Sequence, residues 1–169
     1  MENSFLAIDF ETASHPADSA CAIGLVRVTG GKVVAQKSFL IRPPRPTFHF
    51  SQIHGISWKQ VQKERTFGEV WEEARSLFEG VDFLAAHNAP FDRRVLQACC
   101  EHYQIDSPKT PFICTVQLAR RAWNIRPTRL PLVCEHLGIE LNHHEALSDA
   151  LACARIVIAA QSEGWVGNA

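Results

Sequence analysis

The chain has no excess of positive charge. Its 17 Lys and Arg stand against 18 Asp and Glu, a net charge of −1 at pH 7. A protein that coats long stretches of nucleic acid is strongly basic, so any nucleic-acid contact here is expected to be short, as at a strand end. Paired cysteines are missing too. Cys21, Cys99, Cys100, Cys114, Cys134 and Cys153 include no C-x-x-C pair and no zinc spacing with histidine. Cys99, Cys100 and Cys153 fall on apolar positions of expected helices, so the set reads as small buried thiols in a reducing compartment. No apolar run approaches the length that crosses a bilayer, and no membrane partner is expected. Met1-Glu2-Asn3-Ser4 shows neither a basic segment nor a long apolar run, so no secretion signal is expected and the chain is assigned to the cytoplasm. Internal repeats, low-complexity tracts and long linkers are lacking as well.

What is present suits one α/β domain with a single core. Phe5–Phe10 is almost wholly apolar, as in a strand buried on both faces. Ala22–Val28 and Lys32–Ile41 read as strands of a hairpin turning at Gly30-Gly31. The proline-rich piece Arg42–Pro46 breaks regular structure, and Ile53-His54-Gly55-Ile56 reads as loop. Thr66 and Glu69 form a capping box for a helix whose buried face is Phe67, Val70, Trp71, Ala74, Leu77 and Phe78. Short strands are expected at Phe83–Ala86 and Phe112–Cys114. Helices are expected over Pro90–Tyr103, from a cap at Thr115 through Trp123, over Leu130–Leu137, and from near Glu145 onward. This order predicts a mixed five-stranded sheet flanked by helices.

Four acids and one histidine carry the chemistry. Asp9 and Glu11 lie two apart on the first strand, so both side chains point to one face. Asp92 falls in the first turn of a helix, where the helix dipole favours a carboxylate with or without function. His144 and Asp149 are five apart. On one continuous helix they would diverge by about 140°, so His144 is placed on the loop before the helix and Asp149 one turn inside it. There Asp149 borders the buried stripe, a costly place for an unpaired carboxylate. Taken singly, a strand-end acid or the exposed pair His143-His144 is unremarkable. Together they supply what phosphodiester hydrolysis by a two-metal centre needs: several oxygen ligands for Mg²⁺ or Mn²⁺ and a base for the attacking water. A loop histidine suits the base.

The segments Asp9-Phe10-Glu11-Thr12, His87-Asn88-Ala89-Pro90-Phe91-Asp92 and His144-x4-Asp149 resemble, in order and spacing, the three exonuclease motifs of the DEDDh family. That is the family of the proofreading epsilon subunit of bacterial DNA polymerase III. His87-Asn88-x-x-Phe91-Asp92-Arg93-Arg94-Val95-Leu96 and Cys114-Thr115 followed by Leu118-Ala119-Arg120-Arg121 add a similarity to bacterial exonuclease X. The resemblance spans about residues 4 to 161. It implies a ribonuclease H-like fold; one exonuclease domain is expected over residues 1–164, with a loose tail at 165–169. It also implies 3′-to-5′ release of nucleoside 5′-monophosphates from DNA ends. Asp9, Glu11 and Asp149 would hold two divalent ions, Mg²⁺ or Mn²⁺, directly. Asp92 would hold one of them, with water between as an option, and His144 would be the general base. Thr12 and Ala13 would meet the terminal 3′-OH. Ile53 and His54 would hold the last nucleotide, although His54 reads nearly as well as a locally bonded turn residue. Asn88 and Phe91 are weaker substrate contacts, one able simply to organise its turn and the other to pack in the core. Arg126 and Arg129 are the better candidates among the arginines for phosphates further along the strand. The alternatives are an exoribonuclease of the same superfamily, which the catalytic centre alone does not separate, and a non-catalytic subunit that only grips 3′ ends.

Overall fold

Residues 3–167 are described by a computed structural model. Five strands form one sheet in the order β3-β2-β1-β4-β5. The central strand, β1 (Ser4–Thr12), pairs antiparallel with β2 (Ala20–Thr29), which pairs antiparallel with β3 (Lys32–Leu40). Gly30 and Gly31 make the turn between β2 and β3 with φ of 56° and 73°, a region that glycine enters without steric cost. Beyond two short helices, α1 (Ser51–His54) and α2 (Trp58–Val61), the chain forms α3 (Phe67–Ala74). Thr66 and Glu69 close the expected capping box at its start. Two strands, β4 (Phe83–Ala86) and β5 (Phe112–Cys114), run parallel to β1 on its other side. The helix between them is α4 (Ala89–His102), the crossover that parallel neighbours require. Three helices complete the fold: α5 (Thr115–Trp123), α6 (Leu130–Leu137) and α7 (Ala146–Ser162).

Period-two alternation along β1 divides the core. Leu6, Ile8 and Phe10 pack with Val70, Trp71, Val95, Leu96 and Cys99 from α3 and α4. Phe5 and Ala7 face the opposite layer, with Leu118, Val133, Cys153, Ile156 and Val157 from α5, α6 and α7. Full burial of each Phe, Leu or Ile contributes about 1.5–3 kcal/mol, so this strand anchors both layers. Asp9 and Glu11 continue the register of Phe5 and Ala7. The alternation therefore aims them at the layer that contains α7.

Gly24 decides how close α7 comes. It pairs with Asp9 across the ladder. A Cβ there would lie 2.2 Å from the carbonyl oxygen of Ala146 and 2.6 Å from the nitrogen of Leu147. Both are backbone atoms, which cannot rotate aside. We expect Gly24→Ala to push the start of α7 off the sheet at a cost of about 1–3 kcal/mol. In a chain of this size each kcal/mol lowers the melting temperature by about 2–4 °C. A thermal melt checks this, and an unchanged melting temperature would mean that α7 shifts without cost.

Several local expectations are corrected. Ser51–His54 is a short helix rather than loop, ended by Gly55 at φ 76°. Thr115 is the first residue of α5 and not its cap, which is Cys114. Its buried hydroxyl is taken up by His87 Nδ1 at 2.9 Å, with the Ala86 carbonyl further off at 3.4 Å. Trp165 is docked rather than loose, its ring edge-on to Phe83 with centroids 5.8 Å apart. Residues 168 and 169 of the expected tail lie outside the described residues. Cys114 is only partly buried, whereas the other five thiols are buried. Burial pushes Cys99 up to about 12 and Cys134 up to about 11, so these groups stay protonated and inert. Among the described residues no helix is long and apolar enough to cross a membrane.

Candidate active site

A cleft of about 720 Å³ opens at the end of β1. Asp9, Glu11, Thr12, Ile53, His54, Asn88, Phe91, His144 and Asp149 all line it. Asp92 and Ala13 do not.

Three carboxylates converge. Asp9, Glu11 and Asp149 each offer an oxygen, and these oxygens lie within 4.8 Å of one another. Asp149 comes from the first turn of α7, which Gly24 allows to approach. Its Oδ2 accepts the His144 backbone N–H at 3.1 Å, and His143 Nδ1 lies 3.1 Å from the same oxygen. Glu145 caps α7 by accepting from the N–H groups of Leu147 and Ser148, which fixes the helix start beneath the site. Asp9 keeps a buried Oδ2 with no hydrogen-bond partner among the described residues. An orphaned buried carboxylate oxygen is costly, and a cation among all-oxygen ligands would satisfy it. The donor set therefore fits hard divalent ions.

The electrostatics agree. Burial pushes Asp9 well above the usual carboxylate range, and the charges of Asp92, Asp149 and Glu11 add to it. Burial raises Glu11 to about 8, helped by Asp149 and Asp92. Asp149 is raised by burial, against the opposing effect of His143 and the His144 N–H. Like charges this close cannot all ionise near neutrality without a counter-ion.

Asp92 is 1% exposed and is not one of the three whose oxygens all lie within 4.8 Å of one another. Its Oδ1 accepts the Phe10 N–H at 2.9 Å. The β1–β4 ladder stops at Ala7 and Ala85, so Asp92 satisfies a strand donor that β4 does not reach. Burial raises Asp92 to about 8. Asn88 caps α4 in the left-handed conformation, φ 70°, which asparagine tolerates better than most residues.

Two of the expected substrate contacts are bonded within the protein. Ala13 is fully buried, its N–H bonded to the Ser19 carbonyl and its own carbonyl accepting from His49. Nothing of its backbone is open to a ligand. His54 has both ring nitrogens in use. Nδ1 accepts the Ile56 N–H at 3.1 Å, so the proton sits on Nε2, which donates to the Thr12 carbonyl at 3.0 Å. Burial holds its pKa below the ordinary imidazole value. His54 is the locally bonded turn residue, and it steadies Thr12.

Further residues complete the cleft wall. His87 stands beside Asn88 on this wall. Its Nε2 lies 3.0 Å from the Thr128 carbonyl and must carry the proton, so Nδ1 accepts from the Thr115 hydroxyl at 2.9 Å. Thr128 is held further by Arg120, whose Nε donates to its Oγ1. Arg129 follows directly, exposed at the N-cap of α6 on the cleft wall. Arg126 does not line the cleft. Phe50, Val116, Leu130 and Pro131 give the cleft an apolar side. His143, dismissed as half of a surface pair, touches Asp149. No periodicity pointed to these residues, because loop geometry brings them in.

The RNase T-type exonuclease family model matches residues 6–157. The chain is 32% identical over 159 residues to the PolC-type DNA polymerase III of Thermotoga maritima, covering 92% of this chain and 12% of that protein. It is 33% identical over 156 residues to exodeoxyribonuclease 10 of Escherichia coli, covering 86% of this chain and 64% of that one. The chain thus spans only part of the length of these relatives. The structure of exonuclease X in complex with 5′ overhanging duplex DNA superposes with a TM-score of 0.77 at 28% identity, covering 96% of this chain and 94% of that one. The nuclease domain of 3′hExo, a DEDDh family member bound to rAMP, gives a TM-score of 0.81 at 19% identity, covering 96% and 94%, a likeness of fold. The sheet with its flanking helices is thus the ribonuclease H-like exonuclease fold, and the chain belongs to the DEDDh 3′-5′ exonuclease family.

Proposed function

We propose that the protein is a metal-dependent exonuclease that hydrolyses DNA from its 3′ end and releases nucleoside 5′-monophosphates. The observation that carries this is the convergence of Asp9, Glu11 and Asp149 in an open cleft, with a buried Asp9 oxygen left unpartnered. DNA is favoured because exodeoxyribonuclease 10 is 33% identical and exonuclease X, solved with DNA, shares fold and length.

Asp9, Glu11 and Asp149 would hold two divalent ions, Mg²⁺ or Mn²⁺, and Asp92 would steady one of them through water while bracing β1. Such ions, when bound, lower the pKa of the attacking water and stabilise the departing 3′ oxygen. His144 takes the proton from that water. Burial and the neighbouring His143 hold its pKa below the ordinary value, so the ring is neutral and able to accept. Its backbone N–H on Asp149 ties the base to a ligand-bearing helix. Thr12, steadied by His54, and Asn88 are the polar groups facing the terminal nucleotide. Ile53, 54% exposed, and Phe91 offer apolar surface to a base.

Arg129 would pair with a phosphate further along the strand, its loop clamped through Thr128 by His87 and Arg120. We expect Arg129→Ala to raise KM several-fold while leaving kcat nearly intact. The salt dependence of single-strand binding should flatten by about 0.7 in log–log slope. An unchanged slope places the phosphates elsewhere.

A time course with 5′-labelled single-stranded DNA and matched RNA, in Mg²⁺, Mn²⁺ or chelator, tests the function. A ladder shrinking on DNA only when metal is present is the expected result. A ladder on RNA alone makes the protein an exoribonuclease. Metal binding without cleavage of either leaves a 3′-end-binding subunit and overturns the proposal.

A further inference from the structure

We propose that His143, His144 and Asp149 form a second metal site, suited to Zn²⁺, whose filling blocks hydrolysis. One ligand atom from each of the three lies within 4.8 Å of the others. His143 Nδ1 already sits 3.1 and 3.3 Å from the two Asp149 oxygens.

Consecutive side chains on a strand point to opposite faces, so two adjacent histidines do not ordinarily meet. Here they do. His144 has φ 67°, a left-handed backbone that few side chains adopt. Its N–H bond to Asp149 holds that conformation in place. The result is two imidazoles stacked at 3.7 Å between centroids, 26° from parallel, beside one carboxylate.

Ligand chemistry separates this site from the carboxylate cluster. Asp9, Glu11 and Asp149 present only oxygens and suit hard ions. Two imidazole nitrogens and one carboxylate suit Zn²⁺, with a fourth position left for water. His143 is exposed, so an ion enters from solvent without any opening of the fold. The two sites share Asp149. Zn²⁺ would therefore compete with Mg²⁺ or Mn²⁺ for that carboxylate, and it would engage the imidazole of His144, the proposed base. The inhibitory part of this inference rests on the function proposed above. The Zn²⁺ site itself does not.

The test is calorimetry on the metal-stripped full chain with Zn²⁺ and separately with Mn²⁺, together with the visible absorption of bound Co²⁺ as a report on four-coordinate nitrogen ligation. His143→Asn should weaken Zn²⁺ binding by roughly ten- to a hundredfold, abolish the Co²⁺ spectrum, and leave Mn²⁺ affinity within about twofold. Asp9→Asn with Glu11→Gln should do the reverse, losing Mn²⁺ and keeping Zn²⁺. Circular dichroism identifies any variant that fails to fold, and the exposed His143 substitution is the one expected to fold normally. Equal Zn²⁺ affinity in wild type and His143→Asn overturns the site. So does a Zn²⁺ affinity that falls with the Asp9/Glu11 pair as far as Mn²⁺ does, which would put the ion among the carboxylates. Inhibition by Zn²⁺ of the Mn²⁺-supported reaction, read for each protein against its own uninhibited rate, should require a higher Zn²⁺ concentration in His143→Asn. Zn²⁺ binding without any nuclease activity would count against the proposed function alone. Nuclease activity without the His143-dependent Zn²⁺ site would count against this inference alone.

Discussion

Asp149→Ala is expected to reduce cleavage of a 5′-labelled oligonucleotide by a factor on the order of 10³ or more, with the fold retained. Asp149 is one of three converging carboxylates, and it also fixes His144 through the backbone N–H. On the proposed function, its loss would remove a metal ligand and release the base at once. Metal-assisted charge stabilisation amounts to several kcal/mol of the barrier, and about 4 kcal/mol is a factor of ~10³. His144→Ala provides the contrast. It leaves all four acids in place, so Mn²⁺ affinity should change little while kcat falls by ~10²–10⁴, the usual contribution of a positioned general base. Single-turnover rates and calorimetry on the two variants separate the roles. A fully active Asp149→Ala protein sinks the site assignment. A His144→Ala protein that loses Mn²⁺ as well as rate makes His144 a ligand rather than a base.

The second large effect is on stability and depends on pH. Glu11 and Asp92 are both raised to about 8 by burial, and Asp9 is raised well above its ordinary range. In the unfolded chain these groups titrate near 4. Between pH 4 and pH 8 the folded, metal-free protein therefore holds more protons than the unfolded chain. Their favourable contribution is complete below pH 4 and disappears as pH rises through 8. Metal-free protein should melt about 5–10 °C lower at pH 8 than at pH 5, at about 2–4 °C per kcal/mol. Adding Mn²⁺ should reverse the trend, because carboxylates must be deprotonated to bind it. At a hundred times Kd the gain is about 2.7 kcal/mol, and it should be larger at pH 8 than at pH 5. Scanning calorimetry at both pH values, with Mn²⁺ and with chelator, reads this directly. A metal-free melting temperature that rises from pH 5 to 8 would show that the buried carboxylates are ionised without a cation.

Two periodicities were legible in the amino-acid order, and they account for most of what could be foreseen. The alternation of β1 assigns Phe5, Ala7, Asp9 and Glu11 to one face, because side-chain direction on a strand is a local property. The 3.6-residue stripes, the Thr66–Glu69 capping box and the Gly30-Gly31 turn likewise follow from interactions within a few residues. The separation of His144 from α7 came from the same local geometry. Motif spacing then identified the family, and with it Asp92.

What local rules do not contain is the meeting of segments far apart in the chain. Gly24 looks like any strand glycine until α7 is laid across it and Ala146 occupies the space of its missing side chain. Asp92 stands in its motif, but its bond to Phe10 exists because β4 ends too soon to satisfy that strand. The Ala13 backbone and His54 Nε2 are bonded to neighbouring loops, contacts that no local rule contains. His143 became part of the site through the positive φ of the residue after it. Trp165 left the tail because Phe83 offers it a surface. In each case the sequence specified the side chain and its local direction. Its partner came from a contact between distant segments, and only the packed tertiary structure brings those atoms within bonding distance.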